Sequence, residues 1–159
     1  MLVRVPYLAI VVLLAAAPNI AAAGESMTGT WRITWPCANA TGVFEQRCSE
    51  GMRDSFTLRI LVKGSTLCAL HAATAQMGNR VDESEGPEPS ITGQVVGTTA
   101  KATFSSSWEA KGTASLELKG ESLEWKLLSQ EGGRHWLPRT ATLLRVPDST
   151  WGNNLKCSP

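Results

Sequence analysis

Two histidines, His71 and His135, are the only imidazoles in the chain, so proton transfer or metal binding through histidine has two places to occur. His71 opens the stretch HAATAQMGNRVDESEGPEP, which runs to Pro89 and carries Asn79, Arg80, Asp82, Glu83, Glu85 and Glu88. His135 lies in GGRHWLPR, between Arg134 and Trp136. A serine–histidine–carboxylate triad has the residue types it needs. It lacks a G-x-S-x-G elbow and the alternating strands and helices that would present one. Glycoside cleavage needs two carboxylates at a fixed separation, and the acidic residues here sit in a stretch broken by Gly86, Pro87 and Pro89. Their spacing does not fit an EF-hand loop. The cysteines form no C-x-x-C and the histidines no paired spacing, so a zinc site is not expected. The expectation is therefore no catalysis, no metal and no cofactor. The candidate binding residues are His71, Asn79, Arg80, Asp82, Glu83, Arg134, His135 and Trp136.

The elements that would hold these residues are short alternating runs. TGTWRITW (28–35) places Trp31, Ile33 and Trp35 on one face and Thr30, Arg32 and Thr34 on the other, the period of a strand. FTLRILV (56–62) and TLCALHA (66–72) flank Lys63-Gly64-Ser65 and read as a hairpin. ITGQVV, AKATFSSSW, GTASLEL, SLEWKLL and RTATLLRV then follow one another with glycine-bearing or charged turns between. Strands recurring about every 10 residues with tight turns mark an antiparallel meander. Only Gly42–Asp54 reads as helical, for one or two turns. The fold class is all-β: one meander of about eight strands in a closed or nearly closed barrel, since closure removes exposed edges. The stretch 71–89 reads as one connection of about 19 residues, far above the usual length. It is either a recognition loop at one end of the barrel or a solvated link. Trp31 and Trp125 read as core, while Trp136 suits a recognition aromatic or a turn anchor.

The first 23 residues are expected to be a secretory leader. Arg4 is followed by an apolar run from Leu8 to Ala17, and Ala21 and Ala23 precede Gly24 in a small-residue cleavage pattern. The run is shorter than the roughly 20 residues a membrane span requires. The exported domain is then 24–159, periplasmic or secreted, with no membrane span after cleavage. Arg4 leaves with the leader, which balances the remaining basic residues against the 14 acidic ones. Nucleic acid, which asks for concentrated positive charge, is not an expected partner. Four cysteines in an oxidising compartment suggest two disulfides. Of the three possible pairings the expected one is Cys37–Cys48, closing a short loop, with Cys68–Cys157 tying the tail to the body.

Gly29-Thr30-Trp31, opening the first strand of a secreted meander, resembles the G-x-W entrance of lipocalins and the wider calycin group. The resemblance implies an up-and-down barrel holding a small apolar ligand, with a basic residue of the last strand over the tryptophan; Arg145 is the matching position. The runs NRVDE, GPEPSITG, GTASLEL, LEW and HWLPR also resemble small exported bacterial proteins, a likeness that carries no activity. The function expected is an exported, non-catalytic carrier of a small apolar ligand, with Trp31, Ile33, Phe104 and Trp125 lining its cavity. The alternative is a protein-binding inhibitor or immunity-type module that applies the 71–89 stretch to an exported partner such as a peptidase or a lysozyme.

Overall fold

The computed structural model describes residues 27–38, 40–84, 86–148 and 150–158. The expected leader, 1–23, and the carboxylate of Glu85 lie outside them. The strands are β1 (Gly29–Thr34), β2 (Ser55–Lys63), β3 (Thr66–Ala75), β4 (Arg80–Glu83), β5 (Ile91–Val96), β6 (Thr99–Ser105), β7 (Ala110–Lys119), β8 (Ser122–Gly132) and β9 (Thr140–Val146). A short helix, α1 (Val43–Ser49), sits between β1 and β2. Among the described residues no helix is long and apolar enough to cross a membrane.

Alternation along each strand decides which side chains face inward. In β2, Phe56, Leu58 and Ile60 are buried while Thr57 and Arg59 are not. In β6 the same period buries Ala100, Ala102 and Phe104. All neighbouring strands pair antiparallel, in the order β1-β2-β3-β5-β6-β7-β8-β9, and β9 returns to β1. The closing seam sets Thr30 opposite Val146 and Trp31 opposite Arg145. The result is a closed eight-stranded up-and-down barrel with β4 as one extra strand. At Gly64, φ is +60°, which supplies the first position of a two-residue hairpin turn without steric cost.

Large side chains fill the lumen. Trp31, Trp125, Phe56 and several leucines and isoleucines are almost fully enclosed, and the Phe56 and Trp125 rings meet edge to face at 5.2 Å. Both enclosed indoles spend their N–H groups on backbone: Trp31 on Met27 O at 2.8 Å and Trp125 on Pro138 O at 2.9 Å. Space for the Phe104 ring comes from a neighbour without a side chain. At Gly112 a Cβ would collide with the Ser129 carbonyl and the Phe104 ring. Arg145 stacks over Trp31 with its guanidinium carbon 4.4 Å from the ring centre and gives a hydrogen bond to Thr28 O at 2.7 Å. It thereby caps one end of the barrel in the arrangement expected of a basic residue on the last strand.

Strand β3 departs from simple alternation. Cys68 and Leu70 face outward, yet both are buried. The chain after β9 folds back over them, with Gly152 against Leu70 and Cys157 bonded to Cys68. The second disulfide, Cys37–Cys48, anchors α1 to the segment leaving β1. These are the two expected pairings.

The stretch 71–89 is not one long connection, which corrects the reading from sequence. His71 to Ala75 continues β3, residues 76–79 turn, and β4 pairs back onto β3 with Ala73 opposite Asp82. The inward positions of β4 carry Arg80 and Asp82 rather than apolar residues, so hydrophobic periodicity could not reveal it.

The disulfides should contribute unequally. Their sequence separations are 11 for Cys37–Cys48 and 89 for Cys68–Cys157. Loop entropy assigns about 3 kcal/mol to the first and about 4–5 kcal/mol to the second. Urea unfolding of the paired Cys→Ser variants is expected to show the larger loss for Cys68/Cys157.

Candidate functional site

Four segments meet at the end of the barrel opposite Arg145: the β3–β4 hairpin, α1, the loop 106–109 and the loop 133–139. The hairpin turn is unusual in having two non-glycine residues with positive φ, Gln76 at 56° and Met77 at 52°. Such conformations cost of order 1 kcal/mol each and need external support. Asp54 accepts the Met77 N–H at 2.7 Å and Arg47 of α1 donates to Met77 O at 3.0 Å. Helix and turn are thereby joined.

Behind the turn lies a buried polar network. His71, inward-facing on β3, and Asp82, inward-facing on β4, are both fully enclosed. Nε2 of His71 is 3.1 Å from Asp82 Oδ1, and Nδ1 is 2.8 Å from Ser90 Oγ. Asp82 takes four further hydrogen bonds. Oδ1 accepts from the backbone N–H of Ser107 at 3.0 Å and its hydroxyl at 2.9 Å. Oδ2 accepts from the Ser106 hydroxyl at 2.8 Å and the Trp136 N–H at 3.0 Å. Burial pushes the Asp82 carboxyl up, but the hydrogen bonds from His71 and Trp136, the attraction of His71 and the Ser106 hydroxyl outweigh it. Together they hold the group well below the usual carboxylate range.

An ionised Asp82 is an acceptor only, so the hydrogen between it and His71 sits on Nε2. In the neutral imidazole Nδ1 then carries a lone pair and accepts the Ser90 hydroxyl hydrogen. Ser84 completes the chain. Its Oγ accepts the His71 N–H at 2.8 Å and lies 2.5 Å from Ser90 Oγ.

The network reaches solvent through the barrel wall. Strand β4 pairs with β3 alone, whereas β5 pairs with both β3 and β6. Between β4 and the end of β6 the wall is bridged by side chains: Asp82 to Ser106 and Ser107, and the Trp108 indole to Val81 O at 2.7 Å. Beside this seam lies a cleft of about 310 Å³ on which Glu83, Ser84, Ser90 and Ser105 to Ser107 open. Ser90 also borders a wider depression of about 580 Å³ across β5 to β8, where Thr92, Thr103 and Thr113 stand in one cross-strand row.

Most of the residues singled out from sequence converge here, although 71–83 and 134–136 are far apart in the chain. Arg80 lies over the Trp136 ring at 5.9 Å. His135 meets Phe104 edge-on at 5.8 Å and bonds to Gln130. Arg134 contributes backbone, accepting the Ser106 hydroxyl at 2.9 Å and donating to Trp108 O at 2.9 Å. Asn79 stays exposed in the turn, and Glu83 points outward at the cleft rim. Ser84, Ser90, Ser106 and Ser107 were missed. The one signal for them was Ser105-Ser106-Ser107, three hydroxyl residues in a row that break alternation before Trp108. Among the described residues no cluster of three or more His, Cys, Asp or Glu side chains could hold a metal.

Because its folded pKa is depressed, Asp82 contributes stability above the ordinary carboxylate pKa of about 3.9 and loses it as pH falls toward the folded value. Asp82→Asn is expected to lower stability at pH 7 by about 3–5 kcal/mol, the cost of breaking a buried ionic network from one side. The gap to the unsubstituted protein should narrow below pH 4. Urea unfolding across pH 7 to 2 checks this, and an equal gap at both ends would refute it.

Set against known proteins, the chain matches no family model, no curated protein and no solved structure.

Proposed function

We propose that this is an exported binding protein whose partner is another protein, engaged by the hairpin end of the barrel in the manner of an inhibitor. The observation that carries this reading is a solvent-facing end, cross-linked by hydrogen bonds, that exposes apolar side chains. Val43 on α1, Met52 in the connection from α1 to β2, Val81 on β4 and Trp108 are 62%, 44%, 46% and 41% exposed; three belong to the segments gathered there, and the Met52 sulfur lies beside Gly78 of the hairpin turn. Trp108 stands against Val81 through its hydrogen bond to the Val81 carbonyl. Aromatic residues and methionine within a polar rim are the composition of protein interfaces. A hairpin fixed by Asp54, Arg47 and the His71–Asp82 pair meets a partner with little further loss of entropy.

A small-ligand carrier of lipocalin-like type would need a roomy lumen. Here the residues expected to line it, Trp31, Phe104 and Trp125, are themselves enclosed, with Ile33 packed against them. That weighs toward a partner on the outside. The barrel topology and the Arg145–Trp31 stack support kinship with the calycin group, and the two disulfides fit an oxidising compartment. This reading requires no catalysis.

The test is inhibition and direct binding against purified exported peptidases and lysozymes. Trp108→Ala and Val81→Glu are expected to weaken binding at least tenfold, with the thermal midpoint shifted by only a few degrees, since both side chains are exposed. Native mass spectrometry that finds a small apolar molecule retained by the purified protein, together with no binding to any enzyme tested, would overturn the reading.

A further inference from the structure

We propose that Ser90 is an activated nucleophile that attacks short-chain acyl esters entering the seam between β4 and β6. This goes beyond partner binding and does not depend on it. It rests on the geometry of one hydrogen-bonded cluster: Ser90 Oγ lies 2.8 Å from His71 Nδ1, and His71 Nε2 lies 3.1 Å from Asp82 Oδ1. Ser84 Oγ stands 2.5 Å from Ser90 Oγ, 3.3 Å from the same Nδ1 and 3.1 Å from His71 O. A base oriented by a carboxylate and bonded to a hydroxyl is the arrangement that nucleophilic catalysis requires. The imidazole is used in the reverse sense to the familiar triad, with Nδ1 toward the serine, but roles follow from geometry rather than from atom names.

Three further features turn this cluster from a strut into a site. His71 and Asp82 are fully enclosed, while Ser84 and Ser90 are only partly buried. Of the four residues, only the two serines therefore carry solvent-accessible surface. Ser90 lines both the cleft of about 310 Å³ and the wider depression of about 580 Å³, so a substrate can extend on either side of a carbonyl held at Ser90. The walls are rich in hydroxyls, and Glu83 and Glu88 stand on the rim of the cleft. A neutral or cationic polar ester fits this lining better than a fatty one.

The step balances with the groups present. Ser90 Oγ bonds to the acyl carbon as its proton passes to Nδ1, and Asp82 stabilises the imidazolium through Nε2. Ser84, the nearest hydroxyl, turns its hydrogen to the carbonyl oxygen as negative charge develops there. Collapse breaks the bond to the leaving oxygen, which takes the proton from Nδ1. Water then repeats the sequence on the acyl-serine, releasing the acid and restoring Ser90. Asp82 acts here as a positioning residue.

The experiment is labelling of the disulfide-intact protein with a fluorophosphonate probe, which forms a P–O bond at an activated serine with loss of fluoride. Peptide mass spectrometry locates the adduct. One equivalent on Ser90 is expected, with none in Ser90→Ala. Ser84→Ala should be slowed and His71→Gln slowed by about 100-fold or more, the usual contribution of a general base. Turnover of p-nitrophenyl acetate should follow the same order. Absence of an adduct under conditions that label a reference serine hydrolase overturns the proposal, as does an adduct on another serine. An unchanged labelling rate in a folded His71→Gln variant does so too. If a variant does not fold, the adduct position in the unsubstituted protein still decides. Partner binding lost by Trp108→Ala with Ser90 labelling retained would separate this inference from the inhibitor reading.

Discussion

The carboxylate of Asp82 joins three stretches of chain that are remote in sequence. Through one side chain, β4 is bonded to His71 on β3, to Ser106 and Ser107 beyond β6, and to Trp136 beyond β8. An ionised group without solvent costs several kcal/mol unless it is fully solvated by the protein, and Asp82 meets that condition with five donors. The cost explains why so many segments are held in register around it. Remove the charge and the Ser107 and Trp136 N–H groups are left facing a poorer acceptor. The seam between β4 and β6, which has no backbone ladder, would then lose the bonds that bridge it.

How much could be read in the sequence follows the same division between apolar and polar order. Eight of the strands are legible in the sequence, most by alternation of inward residues such as Trp31, Phe56 and Leu116, and β3 by its hairpin spacing after β2. The disulfide pairing followed from loop length and the position of the tail, and the Arg145–Trp31 stack from a resemblance resting on Gly29 and Trp31. What stayed hidden was stabilised by hydrogen bonds. β4 places Arg80 and Asp82 inward, so it carries no apolar period. The positive φ of Gln76 and Met77 is imposed by Asp54 and Arg47, side chains about two dozen residues away or more. His71, Asp82 and Trp136 were singled out as polar or aromatic residues in suspected loops. Nothing in their spacing said that one carboxylate would bind the other two, or that Ser90 would face the remaining imidazole nitrogen.

The two ends of the barrel use different chemistry. At one, Arg145 covers the Trp31 ring, the chain termini of the sheet pair with each other, and Asp148 just beyond β9 takes hydrogen bonds from Arg59 and Thr30 at the surface. At the other, longer connections allow charged and hydroxyl groups into inward positions. There the apolar filling gives way to His71, Asp82 and Arg80. With the lumen occupied by indole and phenyl rings, the inward-facing polar groups of the barrel collect at this end.

All but one of the barrel's seams join strands that follow one another, counting β4 as an excursion from β3. The exception is β1 with β9, and the hydrogen bond from Arg145 to Thr28 there spans 117 residues. Neighbouring hairpins can form early and locally, whereas this last pairing must close almost the whole loop of the chain. Until β9 arrives, β1 and β8 are bare edges of the kind that recruit strands from other molecules. The pairing of β9 with β1 removes both of these edges at once and leaves β4, bonded only to β3, as the edge that side chains rather than a ladder must cover.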